Sequence, residues 1–234
     1  MDERSKNMNY EGFLITFEGN EGSGKTTQLN LLRPKMLEKY GDKVVFSREP
    51  GGSRIAEQIR GIILSKENTE ITPMCELLLY EAARAQFCSE VLMPALERGK
   101  IVVLDRFYDS TYAYQGWGRG ISADVIRELN EIAVGPDIEP DLTLWLKVNP
   151  EVGNRRRMDD GDANRMDLQG EHFYRSIEAG YRYLSETEKR FIPLQPQSVE
   201  DTHAEIWEIV MRRIGSFLRK SRKNIEHKER NIAK

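Results

Sequence analysis

Apolar residues in this chain fall into short unbroken runs. Between the runs lie longer stretches in which they recur every three or four positions. Phe13-Leu14-Ile15-Thr16-Phe17, Val44-Val45-Phe46, Ile101-Val102-Val103-Leu104 and Leu142-Thr143-Leu144-Trp145-Leu146 are runs of the first kind. A run without polar alternation reads as a strand covered on both faces, as in a parallel sheet. Phe191-Ile192-Pro193-Leu194 is a weaker fifth run, and its proline, lacking an N–H for a neighbour, suits a sheet edge. Between the runs, Val125, Ile126, Leu129, Ile132 and Ala133 keep the helical period, as do Tyr174, Ile177, Tyr181 and Leu184. Ile206, Ile209, Val210, Ile214, Phe217 and Leu218 form a long C-terminal stripe, opened by the capping sequence Ser198-Val199-Glu200-Asp201. Strands alternating with helices predict an α/β domain of three layers, a five-stranded parallel sheet flanked by helices. No linker rich in Gly, Ser or Pro divides it.

The 234 residues suffice for one sizeable domain or two small ones. No repeat marks a solenoid. No apolar stretch approaches the roughly 18–20 residues of a membrane helix, and the polar Met1–Tyr10 does not read as a secretory signal. Cys75 and Cys88 make no disulfide framework, and His172, His203 and His227 are too scattered for a Cys/His zinc site. A reducing, cytoplasmic compartment is the simplest reading. The net charge of −3 is uneven, because Arg212–Lys234 carries nine Lys/Arg against two Glu. An acidic body with a basic end argues against nucleic acid as the main ligand. The expected organisation is one domain over 1–215 and a basic, flexible tail over 216–234.

The strongest chemical signal is Gly19-Asn20-Glu21-Gly22-Ser23-Gly24-Lys25-Thr26, which fits G-x-x-x-x-G-K-[ST] between an apolar strand and a helical pattern. Glycines let the backbone curl until successive N–H groups point at phosphate oxygens, and the helix N-terminus adds partial positive charge. Lys25 reaches the β and γ phosphates, and the Thr26 hydroxyl is suited to Mg²⁺. This predicts a P-loop NTPase fold and nucleoside-triphosphate binding. It leaves the reaction open, since switches, motors and small-molecule kinases share the loop.

Other segments carry weaker signals. Asp105 ends a buried run where a metal-water carboxylate would stand, and Arg106 beside it offers an anion clamp; a strand-end salt bridge is the plain alternative. Arg48-Glu49-Pro50-Gly51-Gly52 is a tight turn after the second run, for which a cis Glu49–Pro50 bond is expected. Tyr80 and Arg84 share one helical face, as a base-stacking ring and a hydrogen-bonding guanidinium would, or as ordinary core and surface residues. The arginine-rich stretch Asn154–Arg165 reads either as a solvated loop or as a closing lid, placed at about 150–170.

Taken in order, these segments resemble the thymidylate kinase family over about residues 12–215. Phe17-Glu18-Gly19-Asn20-Glu21-Gly22-Ser23-Gly24-Lys25-Thr26-Thr27, Arg48-Glu49-Pro50-Gly51-Gly52-Ser53, Asp105-Arg106-Phe107-Tyr108-Asp109-Ser110 and Tyr114-Gln115-Gly116 carry the resemblance. It implies transfer of the ATP γ-phosphoryl to dTMP, with Mg²⁺ as cofactor and a homodimer as the assembly. By similarity, Gly19 to Thr27 hold ATP, with Thr26 and Asp105 on the metal. Glu21 faces the deoxyribose 3′-hydroxyl, Arg106 bridges donor and acceptor phosphates, and Arg48 binds the dTMP phosphate. Tyr80 stacks on thymine, Arg84 meets its O4, Thr111 contacts the base, and Tyr114 crowds the sugar 2′ position. Pro50 and Gln115 complete the acceptor set. The loop lacks the basic residue of the eukaryotic kind, so the resemblance is to the bacterial and archaeal kind, which draws arginine from the lid. Arg156, Arg157 and Arg165 are the candidates, although Met158, Asp159 and Asp160 interrupt them and Asn164 stands where Asp is common. The sequence leaves two other readings open: another nucleoside-monophosphate kinase (for dUMP or UMP/CMP), and an ATPase switch that binds nucleic acid through the basic tail.

Overall fold

The computed structural model describes residues 11–135, 138–159 and 164–232, without the side chains of 150, 154, 157–159 and 220–232. Its strands are β1 (Phe13–Glu18), β2 (Val44–Arg48), β3 (Ile101–Asp105), β4 (Leu142–Leu146) and β5 (Phe191–Leu194), all parallel, in the order β2-β3-β1-β4-β5. Every residue of β1 and β4 is buried, as apolar runs beneath two helical layers require. Pro193 does lie on an edge strand. Thr16 and Thr143 interrupt these runs, and their hydroxyls bond to each other at 2.8 Å.

The helices are α1 (Lys25–Tyr40), α2 (Arg54–Leu64), α3 (Pro73–Phe87), α4 (Met93–Glu97), α5 (Tyr108–Thr111), α6 (Ala123–Val134), α7 (Pro150–Asp159), α8 (Glu171–Thr187) and α9 (Val199–Ile232). One core cluster joins Leu14, Val102 and Leu104 of the sheet to Phe87, Leu92, Leu96 and Phe107. A second is aromatic, with Tyr114, Trp145, Phe173, Tyr174, Tyr181 and Phe191. A π-helical turn over Tyr112–Gly118 extends α5.

β1 and β3 are neighbours with Phe17 opposite Asp105, while the chain leaves β1 for β2 on one side and β3 for β4 on the other. The reversal leaves a crevice beyond the carboxyl ends of β1 and β3, where open α/β sheets bind ligands.

Two structural features lie where the lid and the tail are expected. The segment after β4 opens as helix α7, because the Asn149 side chain accepts from the Glu151 N–H at 2.9 Å and Pro150 suits a first helical turn. The boundary expected at 215 falls inside α9, and the second compact unit of the chain begins at Gln197. Within that unit, Ser198 accepts from the Asp201 N–H at 3.0 Å, and Ile206, Ile209, Val210 and Ile214 are buried at helical spacing.

Candidate active site

The loop between β1 and α1 takes its shape from glycine. Gly19, Gly22 and Gly24 have φ of 141°, 68° and 91°, conformations that cost side-chain-bearing residues free energy. A Cβ on Gly22 would lie 2.1 Å from the Gly153 carbonyl oxygen, and one on Gly153 would lie 2.5 Å from the Glu21 oxygen. The loop and α7 therefore meet backbone to backbone, a contact that only glycine on both sides permits. Arg156 follows Gly153 by about one helical turn, and its guanidinium reaches the Gly22 carbonyl at 3.4 Å while staying exposed.

Lys25 is 6% exposed and donates to the carbonyls of Gly19 and Asn20 at 2.9 and 3.0 Å. Burial pushes its ammonium down to about 8, helped by the Arg106 charge and opposed by Glu21, Asp105 and Glu18. Thr26 and Thr27 are exposed at the start of α1, and Asp105 is half-buried at the end of β3. A hydroxyl and a carboxylate form an all-oxygen donor set suited to a hard cation. Among the described residues no group of three or more His, Cys, Asp or Glu forms a metal cage. The fit is to Mg²⁺, which keeps several waters and shares substrate phosphates with few protein ligands.

Arg106 follows β3 directly and bonds the phosphate loop through Glu21. Its φ is 70°, rare for a residue with a side chain. One terminal nitrogen donates to the Ser110 and Tyr181 hydroxyls, each at 3.1 Å. The other donates to Glu21 at 2.8 Å and to the Tyr114 hydroxyl at 3.0 Å. Beneath it lies Glu18, fully buried at the end of β1. Glu18 accepts from the Phe107 N–H at 2.8 Å, Ser110 at 2.5 Å and Tyr181 at 2.9 Å. Burial and the nearby Asp109 charge push its carboxyl up to about 7, against the pull of Arg106 and these hydrogen bonds.

The turn after β2 carries a second group of the candidate residues. Glu49–Pro50 is cis, as the tight turn implies. Pro50 is buried, and Arg60 donates to its carbonyl at 2.7 Å. Arg48 is exposed and pairs with Glu57 at 3.0 Å, which also accepts from the Gly52 N–H at 2.8 Å. Tyr80 is half-buried. Arg84 is 2% exposed and densely bonded: Nε to Glu49 at 2.9 Å, NH1 to Glu81 and Asn130 at 2.5 and 3.0 Å, and NH2 to Thr111 at 2.9 Å. Thr111 and Gln115 are buried on α5 and the π-helical turn, and Gln115 donates its amide to Glu76 at 2.9 Å.

The crevice therefore brings together the 19–27 loop, Asp105 and Arg106, with Tyr114 bonded to the same guanidinium. Arg165 is the departure. It is 5% exposed, with Nε on the Ile63 carbonyl at 2.8 Å and NH2 on Glu76 at 2.6 Å, and its N–H bonds the Leu64 carbonyl at 3.1 Å. The turn that follows Asn164 holds it against α2 and α3. The side chain of Arg157 lies outside the described residues. Sequence reasoning missed Glu18, Glu76, Arg60 and Gly153. Only Glu18 left a local trace, as a charge closing the apolar run before the loop.

A family model described as thymidylate kinase matches residues 17–206. Thymidylate kinase of Pelobacter propionicus is 48% identical over 188 residues, covering 77% of this chain and 85% of the relative. That of Geobacter sp. is 44% identical, covering 88% and 94%. The crystal structure of thymidylate kinase from Ehrlichia chaffeensis superposes with a TM-score of 0.71 at 32% identity, over 86% of this chain and 98% of that one.

Proposed function

The chain belongs to the thymidylate kinase family, and from that premise we propose how its residues divide the work of moving a phosphoryl group from ATP to dTMP. The observation that carries the reading is Arg106, whose guanidinium bonds Glu21 of the phosphate loop and Tyr114 of the acceptor side at once. A single cation between the two halves of the crevice suits a reaction in which charge passes from donor to acceptor.

ATP lies along residues 19–27, its phosphates on the loop N–H groups and Lys25. Thr26 and Asp105 are the residues that would hold Mg²⁺, which when bound neutralises phosphate charge. dTMP lies against Arg48, Pro50, Tyr80, Arg84, Thr111, Tyr114 and Gln115. Glu21 receives the sugar 3′-hydroxyl. Phosphate oxygens replace the neutral hydroxyls on Arg106, and charge-assisted hydrogen bonds make that exchange favourable. The Tyr114 ring is 6% exposed and packs edge-on to Phe173 and Tyr181, so it keeps its place against the sugar. No covalent nucleophile is needed, because positioning and charge neutralisation carry phosphoryl transfer.

The test is ADP release with a panel of monophosphates. dTMP is expected to give the highest kcat/KM, above dUMP, UMP, CMP and dGMP. Faster turnover of UMP or CMP would move the assignment to another acceptor, and no ADP release with any of them would leave a switch.

Of the lid expected over 150–170, residues 160–163 lie outside the described residues; in this reading helix α7 is its described part, and Arg156 supplies its cation, being poised on the loop at Gly22. Arg156→Ala is expected to lower kcat tenfold or more at unchanged melting temperature, since the side chain is exposed. Arg165→Ala is expected to act through stability, by about 2–4 kcal/mol, because it strips a buried partner from Glu76. The reverse pattern would exchange the two roles.

The assembly in this reading is a homodimer. α3 packs between α2 and α6, and its outer face exposes Met74, Leu78, Ala82 and Ala85. Ile62 of α2 and Ile132 of α6 are 49% and 80% exposed. An apolar stripe of this kind is typical of an interface, and sedimentation as a monomer would refute the pairing. The cytoplasm is the proposed compartment, supported by the sparse, unpaired cysteine usage; fractionation of tagged protein outside it would overturn that. The basic segment 216–234 is given no part in the reaction.

A further inference from the structure

Glu76 of α3 is 1% exposed and receives four hydrogen bonds. Gln115 Nε2 and Arg119 Nε donate to its Oε1 at 2.9 and 3.0 Å. Arg119 NH2 and Arg165 NH2 donate to its Oε2 at 3.0 and 2.6 Å. Burial alone would raise its carboxyl, but the bonds from Arg119 and Gln115 hold it below the usual carboxylate range. Glu76 is therefore an anion that only accepts. A carboxylate cannot donate, so Gln115 can present only its amide nitrogen to it, and the amide oxygen must point elsewhere. A carboxamide free to turn over would offer a base either a donor or an acceptor, but this one cannot turn without setting its oxygen against a buried anion.

We propose that Glu76 is a positioning residue that locks the Gln115 carboxamide with its oxygen toward the acceptor base, so that the pocket takes a ring N–H and rejects a ring nitrogen lone pair. The proposal rests on the placing of Gln115 at the base in the reading above. Thymine carries a hydrogen on N3, whereas cytosine carries a lone pair there. With the amide locked, cytosine brings lone pair against lone pair, and a site built around a substrate N–H discriminates strongly against a base without it. Arg119 and Arg165 have their own part in this. They keep Glu76 ionised and occupy its remaining acceptor positions, and Arg119 is itself held over the Phe173 ring at 4.5 Å. The lock thus ties three separate segments of chain to one edge of the base.

Glu76→Gln is the informative change. A glutamine there can donate to the Gln115 oxygen, so the carboxamide can turn over and offer cytosine N3 an N–H. The experiment measures dissociation constants of dTMP and dCMP for the parent, Glu76→Gln, Gln115→Met and the double variant. The ratio of the dCMP to the dTMP constant is expected to fall about tenfold or more in Glu76→Gln. It should fall similarly in Gln115→Met, with no further fall in the double variant. A merely structural role would weaken both nucleotides together and leave the ratio unchanged, which would overturn the proposal. If Gln115→Met changes the ratio and Glu76→Gln does not, the lock is wrong while the pocket reading stands. If Gln115→Met leaves the ratio alone, Gln115 is not at the base and both fail. Should Glu76→Gln not fold, a structure of the parent with dTMP at atomic resolution decides the matter: Gln115 Nε2 facing thymine N3 would refute the lock, and Oε1 there would uphold it.

Discussion

Replacing Lys25 by alanine is expected to lower kcat roughly 10²–10³-fold, about 3–4 kcal/mol of barrier, without changing the fold. The ammonium is held at the loop by the carbonyls of Gly19 and Asn20 before any substrate arrives. It costs little reorganisation when charge shifts on the transferred phosphoryl, which is the condition under which a buried cation lowers a barrier most. Loss in kcat should be at least as great as loss in kcat/KM. Near-normal turnover of the variant would sink the role. The same residue predicts a pH dependence. With its ammonium lowered to about 8 in the free enzyme, Lys25 is charged below that pH and neutral above it. Bound phosphates favour the charged form, so ATP binding above pH 8 must take up a proton. Affinity should be flat below pH 8 and weaken about tenfold per unit above it. Titrations in buffers of different ionisation enthalpy measure the uptake directly, and constant affinity to about pH 9.5 would show that Lys25 is not the group responsible.

Arg106→Ala is expected to cost roughly 10³-fold or more in kcat/KM, the scale on which an arginine contributes to phosphoryl transfer. Arg106→Lys should recover little of it. The guanidinium makes four hydrogen bonds in two directions, to Ser110 and Tyr181 on one side and to Glu21 and Tyr114 on the other. An ammonium is a point charge without that fork. The backbone allows a further control. At φ 70° glycine is the less strained residue, so Arg106→Gly isolates the lost guanidinium from any backbone cost. All three variants should be similarly inactive. A lysine variant within a few-fold of the parent would mean that charge alone matters there and that the fork is incidental.

Much of the architecture was legible in local sequence. The five apolar runs became five strands, because an unbroken run can be buried only where both faces are covered. The phosphate loop was legible because its glycines, lysine and threonine act through the backbone next to them. Tyr114 and Arg106, eight residues apart, stayed close enough in the chain to be read as one constellation. The cap at Ser198 was equally local.

What only the tertiary structure decided are the partners of charged residues far apart in sequence. Nothing near Arg165 in the chain says whether it swings with a lid or lies buried; Glu76, 89 residues away, settles that through one ion pair. Nothing near Gln115 says which end of its amide faces outward, and the same carboxylate determines it. Arg156 stands at the loop because Gly153 and Gly22 are bare enough for two backbones to touch, a contact between segments that have no common pattern. Periodicity and motif report what a residue does with its neighbours in the chain. A buried carboxylate, which must find its donors wherever the fold brings them, is assigned its role only once the chain has closed around it.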